Sequence, residues 1–400
     1  MHCGFCLQAC PTFLATGDES DSPRGRIELM RALERGDLEA TDPALAYHLD
    51  RCLGCRGCEP VCPSGVRYGQ GLEAARARIA SVRGVPLLTR VALWALTSPG
   101  ASGVVYWFAR VLRATGIPRL FAGWGRFRFA MGMLAATRPK GGNRRQRAAT
   151  EQPYRPLPPV AALLFRGCVQ QGLFSHVHDA TARTLGVNGY QIREVTGQGC
   201  CGALHAHAGL LDEARALART NIAAFGDGDG DEPIAVNSAG CGALMKEYGH
   251  LVGGAASERF AARVRDVTEL LAPSPVPGAP LDLHVAYDPP CHLLHAQGIA
   301  DPPLKLFAAI PLLELVQVPG AAECCGSAGL FTLVEPEMSR AVLAPKLARL
   351  REAAPQVVAT GNPGCLMQLG AGLAAAGLQT PVRHPVELLD DAYRAAGRYE

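Results

Sequence analysis

Residues 52–63 read CLGCRGCEPVCP, which sets Cys52, Cys55, Cys58 and Cys62 at the spacing C-x2-C-x2-C-x3-C, with Pro63 closing the run. Thiols this close in sequence cannot pair as disulfides without severe strain, because short loops rarely meet disulfide geometry. They can all converge on one soft, thiophilic centre. A structural zinc site is one use of clustered cysteines, but it ordinarily draws on two separated C-x2-C pairs. The x2-x2-x3-Pro run instead fits iron–sulfur chemistry, with three cysteines on one cluster and the fourth on its neighbour.

A second run sits at the start of the chain. MHCGFCLQACP supplies Cys3, Cys6, Cys10 and Pro11, the same pattern without its first cysteine. Crossed ligation, as in bacterial two-cluster ferredoxins, groups Cys10, Cys52, Cys55 and Cys58 on one 4Fe–4S cluster. Cys3, Cys6 and Cys62 fall to the second, one ligand short. The missing cysteine would stand one place before Met1, so the expectation is a start set too far downstream. A 3Fe–4S centre or a non-cysteine fourth ligand are the alternatives.

The composition is globular, 48% hydrophobic and 19% charged over 400 residues, enough for two or three domains. All 15 cysteines fall in motifs, which marks metal sites rather than a disulfide framework, and hence a reducing, cytoplasmic setting. No secretory leader is expected ahead of Cys3. Net charge is only +3 but uneven: residues 74–150 carry 14 Lys and Arg and no Asp or Glu.

The elements that position these cysteines can be taken in order. Residues 1–83 read as a helical ferredoxin module. Ser22-Pro23 opens one helix and Gly36 ends it; a second starts after Thr41-Asp42-Pro43 and delivers Cys52. Arg24 and Arg26 can offset thiolate charge, although exposure is the commoner fate of arginine. Residues 84–156 form a basic, aromatic-rich, amphipathic linker. Val91–Ala109 lacks charge, yet Ser98-Pro99-Gly100 interrupts it, so two short helices, Val85–Leu96 and Val104–Arg113, fit better than a membrane span. Aromatics interleaved with arginines suit an anionic lipid surface or an acidic partner. A domain-packing linker is the other reading. No nucleic-acid-binding fold accompanies the charge, so no nucleic acid is expected. Arg138–Pro159 reads as a loose connector.

The remainder is an internal repeat. Cys168, Cys200, Cys201 and Cys241 recur as Cys291, Cys324, Cys325 and Cys365, at offsets of 123, 124, 124 and 124. The copies span 157–271 and 281–400. Short apolar runs, Val160–Phe165, Ile234–Val236, Leu283–Tyr287 and Val357–Ala359, read as buried parallel strands just ahead of the cysteines. Ligands collect beyond the carboxyl ends of such strands, so each copy should gather its four cysteines at one crevice near the junction of the halves. The fold class is α+β and multidomain: a helical ferredoxin domain, then two tandem α/β cysteine-rich repeats.

Some signals are decoys. Gly197 to Gly202 matches G-x-G-x-x-G, but the second copy keeps the cysteines without the first two glycines, so nucleotide binding is not expected. Asp227, Asp229 and Asp231 mimic a calcium loop with Glu232 where glycine is required, and read as a surface loop. His205, His207, His292 and His295 flank repeat cysteines and read mainly as packing or hydrogen-bonding groups, with ligand or proton-relay roles as the alternative. Lys246 and Arg383-His384 read as a solvated face, or else as steering groups for an anionic partner.

Tandem C…CCG…C repeats resemble the cysteine-rich domains of heterodisulfide-reductase-type subunits. Behind a two-cluster ferredoxin they resemble the iron–sulfur subunit of bacterial glycolate oxidase, on HCGFCLQACPTF, SPRGRI, CLGCRGCEPVCPSGV, GCCGALHAHAG, NSAGCGALMKEYG, DPPCHLLHAQGI, CCGSAGLF, ATGNPGCLMQL and RHPVELLDDAY. The resemblance implies partner subunits that carry flavin and oxidise glycolate to glyoxylate, with no flavin on this chain. It implies two 4Fe–4S clusters, possible further clusters in the repeats, and electron transfer to quinone or another membrane acceptor. It places the protein in the cytoplasm, peripheral on the inner membrane. Alternatives are a lactate or glycerol-3-phosphate dehydrogenase subunit, or a heterodisulfide-reductase-like catalytic subunit. That family's domains end in C-x-x-C, whereas here Cys241 and Cys365 have no such partner, so four thiolates per repeat suit an ordinary cluster.

Overall fold

Ser22 and Asp42 start the two helices that frame the first thiols. In the computed structural model, which describes residues 3–139, 160–226, 230–272 and 276–399, Ser22 accepts from the Gly25 amide and Asp42 from the Ala44 and Leu45 amides. Helices Pro23–Arg35 and Pro43–Asp50 follow, each opened by a proline whose missing N–H costs nothing there. Tyr68–Arg83 completes the module. Leu45, Leu49, Leu72 and Ile79 form its core around Cys52 and Cys58.

Arg26 is not exposed. It is fully buried and donates to Thr12 Oγ1 at 2.8 Å, to the His48 carbonyl at 2.7 Å and to the Asp21 carboxylate at 3.1 Å. Arg51 donates to Asp21 at 3.2 Å, and His48 Nδ1 lies 3.1 Å from it. Asp18, Asp21 and His48 come close enough together for a small cation. Asp21, however, is already committed to the two arginines, so the trio reads as an ion-pair network.

Residues 87–136 form four short helices: Leu87–Thr97, Pro99–Ala114, Ile117–Leu120 and Arg126–Ala136. The second begins earlier than its apolar run suggested, because Ser98 is extended and the chain re-enters helix at once. Among the described residues no single helix is long and apolar enough to cross a membrane. Most of the Arg138–Pro159 connector, and Asp227 and Asp229 of the acidic loop, lie outside the described residues.

Each cysteine repeat folds around a four-stranded parallel sheet. Strands β1 (Val160–Phe165), β2 (Tyr190–Arg193), β3 (Ile234–Val236) and β4 (Val264–Asp266) take the order β2-β1-β3-β4. Strands β5 (Leu283–Tyr287), β6 (Leu313–Val316), β7 (Val357–Ala359) and β8 (Val382–Arg383) repeat it as β6-β5-β7-β8. The repeats share one core, in which Phe174, Val177 and Leu185 meet Leu306, Phe307 and Leu389. Arg183 clamps Asp390 across the junction through two bonds of 2.8 and 2.7 Å.

Lys246, Arg383 and His384 do not form a solvated face. Lys246 pairs with Glu269 at 2.8 Å and Arg383 with Asp391 at 2.7 Å. His384 is buried, accepts from the Val386 amide to cap the last helix and donates to the Asn237 carbonyl at 3.1 Å. Burial drives its pKa down to about 3, so it is neutral.

Arg26→Met removes the counter-charge inside the N-terminal module. It is expected to destabilise that module by about 3 kcal/mol, the scale for stranding half of a buried ion pair. Chemical unfolding monitored by circular dichroism checks this; an unchanged midpoint would show that Arg51 alone satisfies Asp21.

Candidate metal centres

The N-terminal thiols separate in space into two sets. Cys10, Cys52, Cys55 and Cys58 are mutual electrostatic neighbours, and burial followed by the three surrounding thiols pushes Cys58 up. Cys3, Cys6 and Cys62 form the second set at the surface, where Cys3 is exposed and the other two are half-buried. Donors point at the inner sulfurs. The Gly54 amide reaches Cys52 Sγ at 3.4 Å and Tyr68 Oη reaches it at 3.5 Å; Thr12 Oγ1, whose proton goes to the Asp21 carbonyl at 2.9 Å, lies 3.3 Å from Cys10 Sγ. Buried Arg26 is also close to Cys52 and Cys10.

In the repeats the four cysteines arrive from three segments that follow strands at one end of each sheet, Cys241, Cys291 and Cys365 in the first turn of a helix. Cys168 lies 3.4 Å from Cys200, and Cys325 lies 3.2 Å from Cys365, sulfur to sulfur. The glycine of each CCG has a physical reason. Gly202 and Gly326 are left-handed, at φ +90° and +81°, and each turns its amide onto the preceding pair's first sulfur at 3.4 Å. A side chain at Gly326 would also meet the Ser339 carbonyl at 2.6 Å. The residue three before the last cysteine donates as well: Ser238 Oγ to Cys241 at 3.3 Å and Asn362 Nδ2 to Cys365 at 3.6 Å. The G-x-G-x-x-G segment thus serves a thiol turn, and the helix after it has only 5 residues.

All eight repeat cysteines line a single cavity of about 280 Å³ at the junction of the two sheets. Its remaining wall is mainly apolar and includes Leu53, Leu173, Leu204 and Leu333, while Leu96 and Met133 close it from the 87–136 helices. A single tetrahedral zinc, with bonds near 2.3 Å, would draw its sulfurs to about 3.8 Å of one another. Among the described residues no three thiols lie mutually within 4.8 Å. Thiols spread this widely suit a larger body, such as a multi-iron cluster, and amide and hydroxyl donors to sulfur are the partners such clusters use.

The two quartets have unlike neighbours. The Cys55 thiol packs against Cys324, which holds its pKa below the usual thiol value. A ferredoxin thiol therefore touches the second quartet. The first quartet instead meets Tyr106, whose phenol reaches Cys168 and whose ring fills the space a side chain at Gly172 would take. Behind the second quartet, buried Lys346 pairs with Asp288, whose carboxyl burial raises to about 6. The positions 123 and 124 residues earlier are Phe165 and Ile222, both apolar. Cysteine spacing carried no sign of Tyr106, Lys346 or the Cys55–Cys324 contact.

The flanking histidines hold structure together. His292 is half-buried and donates to the Gly54 carbonyl at 3.0 Å, and its desolvation lowers its pKa to about 4. His207 pairs with Glu73 at 3.2 Å, and His295 donates to the Ala322 carbonyl at 3.2 Å. His205 is buried, and its Nδ1 has no hydrogen-bond partner among the described residues.

Residues 1–66 match a family described as a 4Fe-4S dicluster domain, and residues 162–246 and 285–370 each match the cysteine-rich domain family named CCG. The chain is 36% identical to the probable glycolate oxidase iron-sulfur subunit of Bacillus subtilis, covering 99% of this chain and 93% of that protein. It is 33% identical to the glycolate oxidase iron-sulfur subunit of Escherichia coli, over 98% and 93%. Lactate utilization protein A of Geobacillus kaustophilus is 29% identical over 57% of this chain and 97% of that protein.

Anaerobically purified protein is expected to hold clearly more than the roughly eight irons that the N-terminal sets alone would carry at four per cluster. The double variant Cys201→Ser, Cys241→Ser should lose about four of them. Iron content that stops near eight, and is indifferent to that variant, would limit the clusters to the N-terminal module.

Proposed function

This chain belongs to the family of glycolate oxidase iron–sulfur subunits, and on that footing we propose that it carries electrons from a flavin-bearing partner, which oxidises glycolate to glyoxylate, to a membrane acceptor such as quinone. Cys10, Cys52, Cys55 and Cys58 hold one 4Fe–4S cluster, and Cys3, Cys6 and Cys62 supply thiolates to a second. The quartets Cys168, Cys200, Cys201, Cys241 and Cys291, Cys324, Cys325, Cys365 hold further clusters. Bound clusters supply reversible one-electron storage, and the organic chemistry stays with the partner.

The single observation that carries this reading is the packing of Cys55 on Cys324. It joins the N-terminal thiols to the repeat thiols without a solvent gap. At one end of the series lies the surface set, and Phe5, Leu14, Val61 and Val66, close to these cysteines in sequence, are exposed, apolar residues that suit a protein partner. At the other end lies the cavity under the 87–136 helices. Those helices turn Leu88, Trp94, Trp107, Phe108, Leu120 and Phe127 outward among Arg90, Arg110, Arg126 and Arg128. An apolar face edged by cations and lacking acids suits the anionic inner leaflet of the membrane, with the body of the protein in the cytoplasm.

Two outcomes test the reading. In the complex with its flavin-bearing partner, Cys324→Ser should leave glycolate able to reduce the N-terminal centres. It should slow quinone reduction by about tenfold or more, the effect of ~1.4 kcal/mol on the barrier. Stopped-flow absorbance reads both steps, and wild-type quinone turnover in the variant would sink the relay. Separately, the protein should co-sediment with vesicles containing anionic lipid. Binding should fall severalfold between 0.1 M and 1 M salt, as the screening length shortens from about 10 Å to about 3 Å. Trp107→Asp should weaken binding at every salt concentration. Retention that only detergent reverses would argue for insertion rather than surface contact.

A further inference from the structure

Beside the thiol cavity lies a second one, of about 360 Å³, between the Arg126–Ala136 helix and residues 332–340. Trp124 and Phe129 form its aromatic wall, stacked with centroids 5.8 Å apart and planes 18° from parallel. Arg126 and Arg340 stand at its edge with Glu337, and the Arg340 guanidinium lies 5.8 Å from the Trp124 ring centre. Leu333 lines both cavities. So does one face of a single helix: Phe129 and Ala130 line the outer cavity, and Met133, one turn on, lines the inner. Leu120, Phe121 and Phe127, at 80%, 53% and 66% exposure, flank the outer cavity in sequence and belong to the same outward apolar surface.

We propose that this outer cavity binds the ring of a lipid-borne quinone, with its tail lying along the exposed apolar helices. The inference rests on the reading of this chain as a donor to a membrane acceptor, and adds where that acceptor sits. Each part of such a ligand has a counterpart here. A flat ring matches the Trp124–Phe129 wall. Its carbonyls accept hydrogen bonds, and Arg126 and Arg340 can only donate. The Thr332 hydroxyl is committed to Gln368 Oε1 at 3.0 Å, so the arginines and the Trp124 indole N–H are the donors this lining offers to a quinone. The volume lies within the roughly 300–1,000 Å³ of small-molecule sites. Among the described residues Leu333 alone lines both this cavity and the thiol cavity, which places the ring next to the thiol sets and out of contact with the sulfurs.

The test uses the intact complex and a photoreactive short-tail benzoquinone, with peptide mapping after illumination. Expected is saturable labelling within 124–133 or 331–340, displaced by excess unlabelled quinone. Leu333→Trp, which fills the shared wall, and Arg340→Gln, at the exposed edge, should each weaken quinone affinity, by about tenfold and severalfold. Iron content of the variants reports their folding, and Arg340→Gln decides if Leu333→Trp fails to fold. Saturable labelling elsewhere, or wild-type affinity in Arg340→Gln with no label at these peptides, overturns the site and leaves the membrane-acceptor reading standing. No saturable quinone binding anywhere in the complex overturns both.

Discussion

The joint on which the molecule depends is the turn from Cys52 to Cys58. It must present Cys55 to Cys324 while its other cysteines face inward. That geometry demands left-handed backbone at Gly54 and also at Arg56, at φ 60° for each. For arginine this conformation costs about 1–2 kcal/mol. Both repeats hold the turn in place. Arg56 pairs with Glu59 at 2.9 Å and with Glu247 of the first repeat, and His292 of the second repeat bonds the Gly54 carbonyl. Arg76 adds a bond of 3.0 Å to the His207 carbonyl and three more to carbonyls at 49, 50 and 52. The N-terminal module is therefore fixed to the repeats through the loop that carries its thiols, where a small shift would open the gap between thiol sets.

Duplication explains the shared parts of the two repeats, and contact with different neighbours explains how they diverge. Both keep the left-handed glycine, the amide on sulfur and a side-chain donor three residues before the last cysteine. The second repeat faces the N-terminal module and buries a Lys346–Asp288 pair behind its thiols. Charge beside Cys324 and Cys325 is compensated there within the protein, and burial of the pair is tolerable only because each half is present. The first repeat has apolar residues at those positions and meets the helical layer through Tyr106. Two sites of one ancestry thus sit in different fields, which is how a protein sets unlike potentials on like clusters.

Much of this was legible in the sequence where a local rule acts alone. The capped, proline-opened helices at 23–35 and 43–50 and the four central strands β1, β3, β5 and β7 follow from caps and short apolar runs. The edge strands were not legible. β2 alternates half-buried with exposed residues and β8 has 2 residues, so neither shows the continuous apolar run of a central strand. The grouping of cysteines was visible as spacing and as a 124-residue offset, which chain geometry converts into one cavity. What spacing cannot show is contact between segments far apart in sequence. Cys55 on Cys324, Tyr106 on Cys168 and the burial of Arg26, Lys346 and Arg383 depend on how finished elements pack. A lone arginine beside a proline reads the same whether it faces water or a carboxylate.

The acid-free stretch gains its meaning from that packing. Its helices form a layer with two faces. The inner face contributes Leu96, Tyr106, Phe129 and Met133 to the junction of the repeats, above eight thiols that become anionic when they bind metal. A carboxylate on that face would repel them in a medium of low dielectric, where such repulsion is strong. The outer face displays aromatic and aliphatic side chains among arginines, and under the proposed membrane contact a carboxylate there would be repelled by anionic lipid. Each face excludes acids for its own reason, and a layer only one helix thick has no third face on which to place them. Arginine is tolerated on both: Arg113 reaches inward to the Thr137 and Leu173 carbonyls at 2.8 and 3.0 Å, while Arg110 and Arg128 remain outside. Across 87–136 the absence of Asp and Glu is thus matched to the thiols beneath the layer and, on the proposed reading, to a membrane surface on its other side.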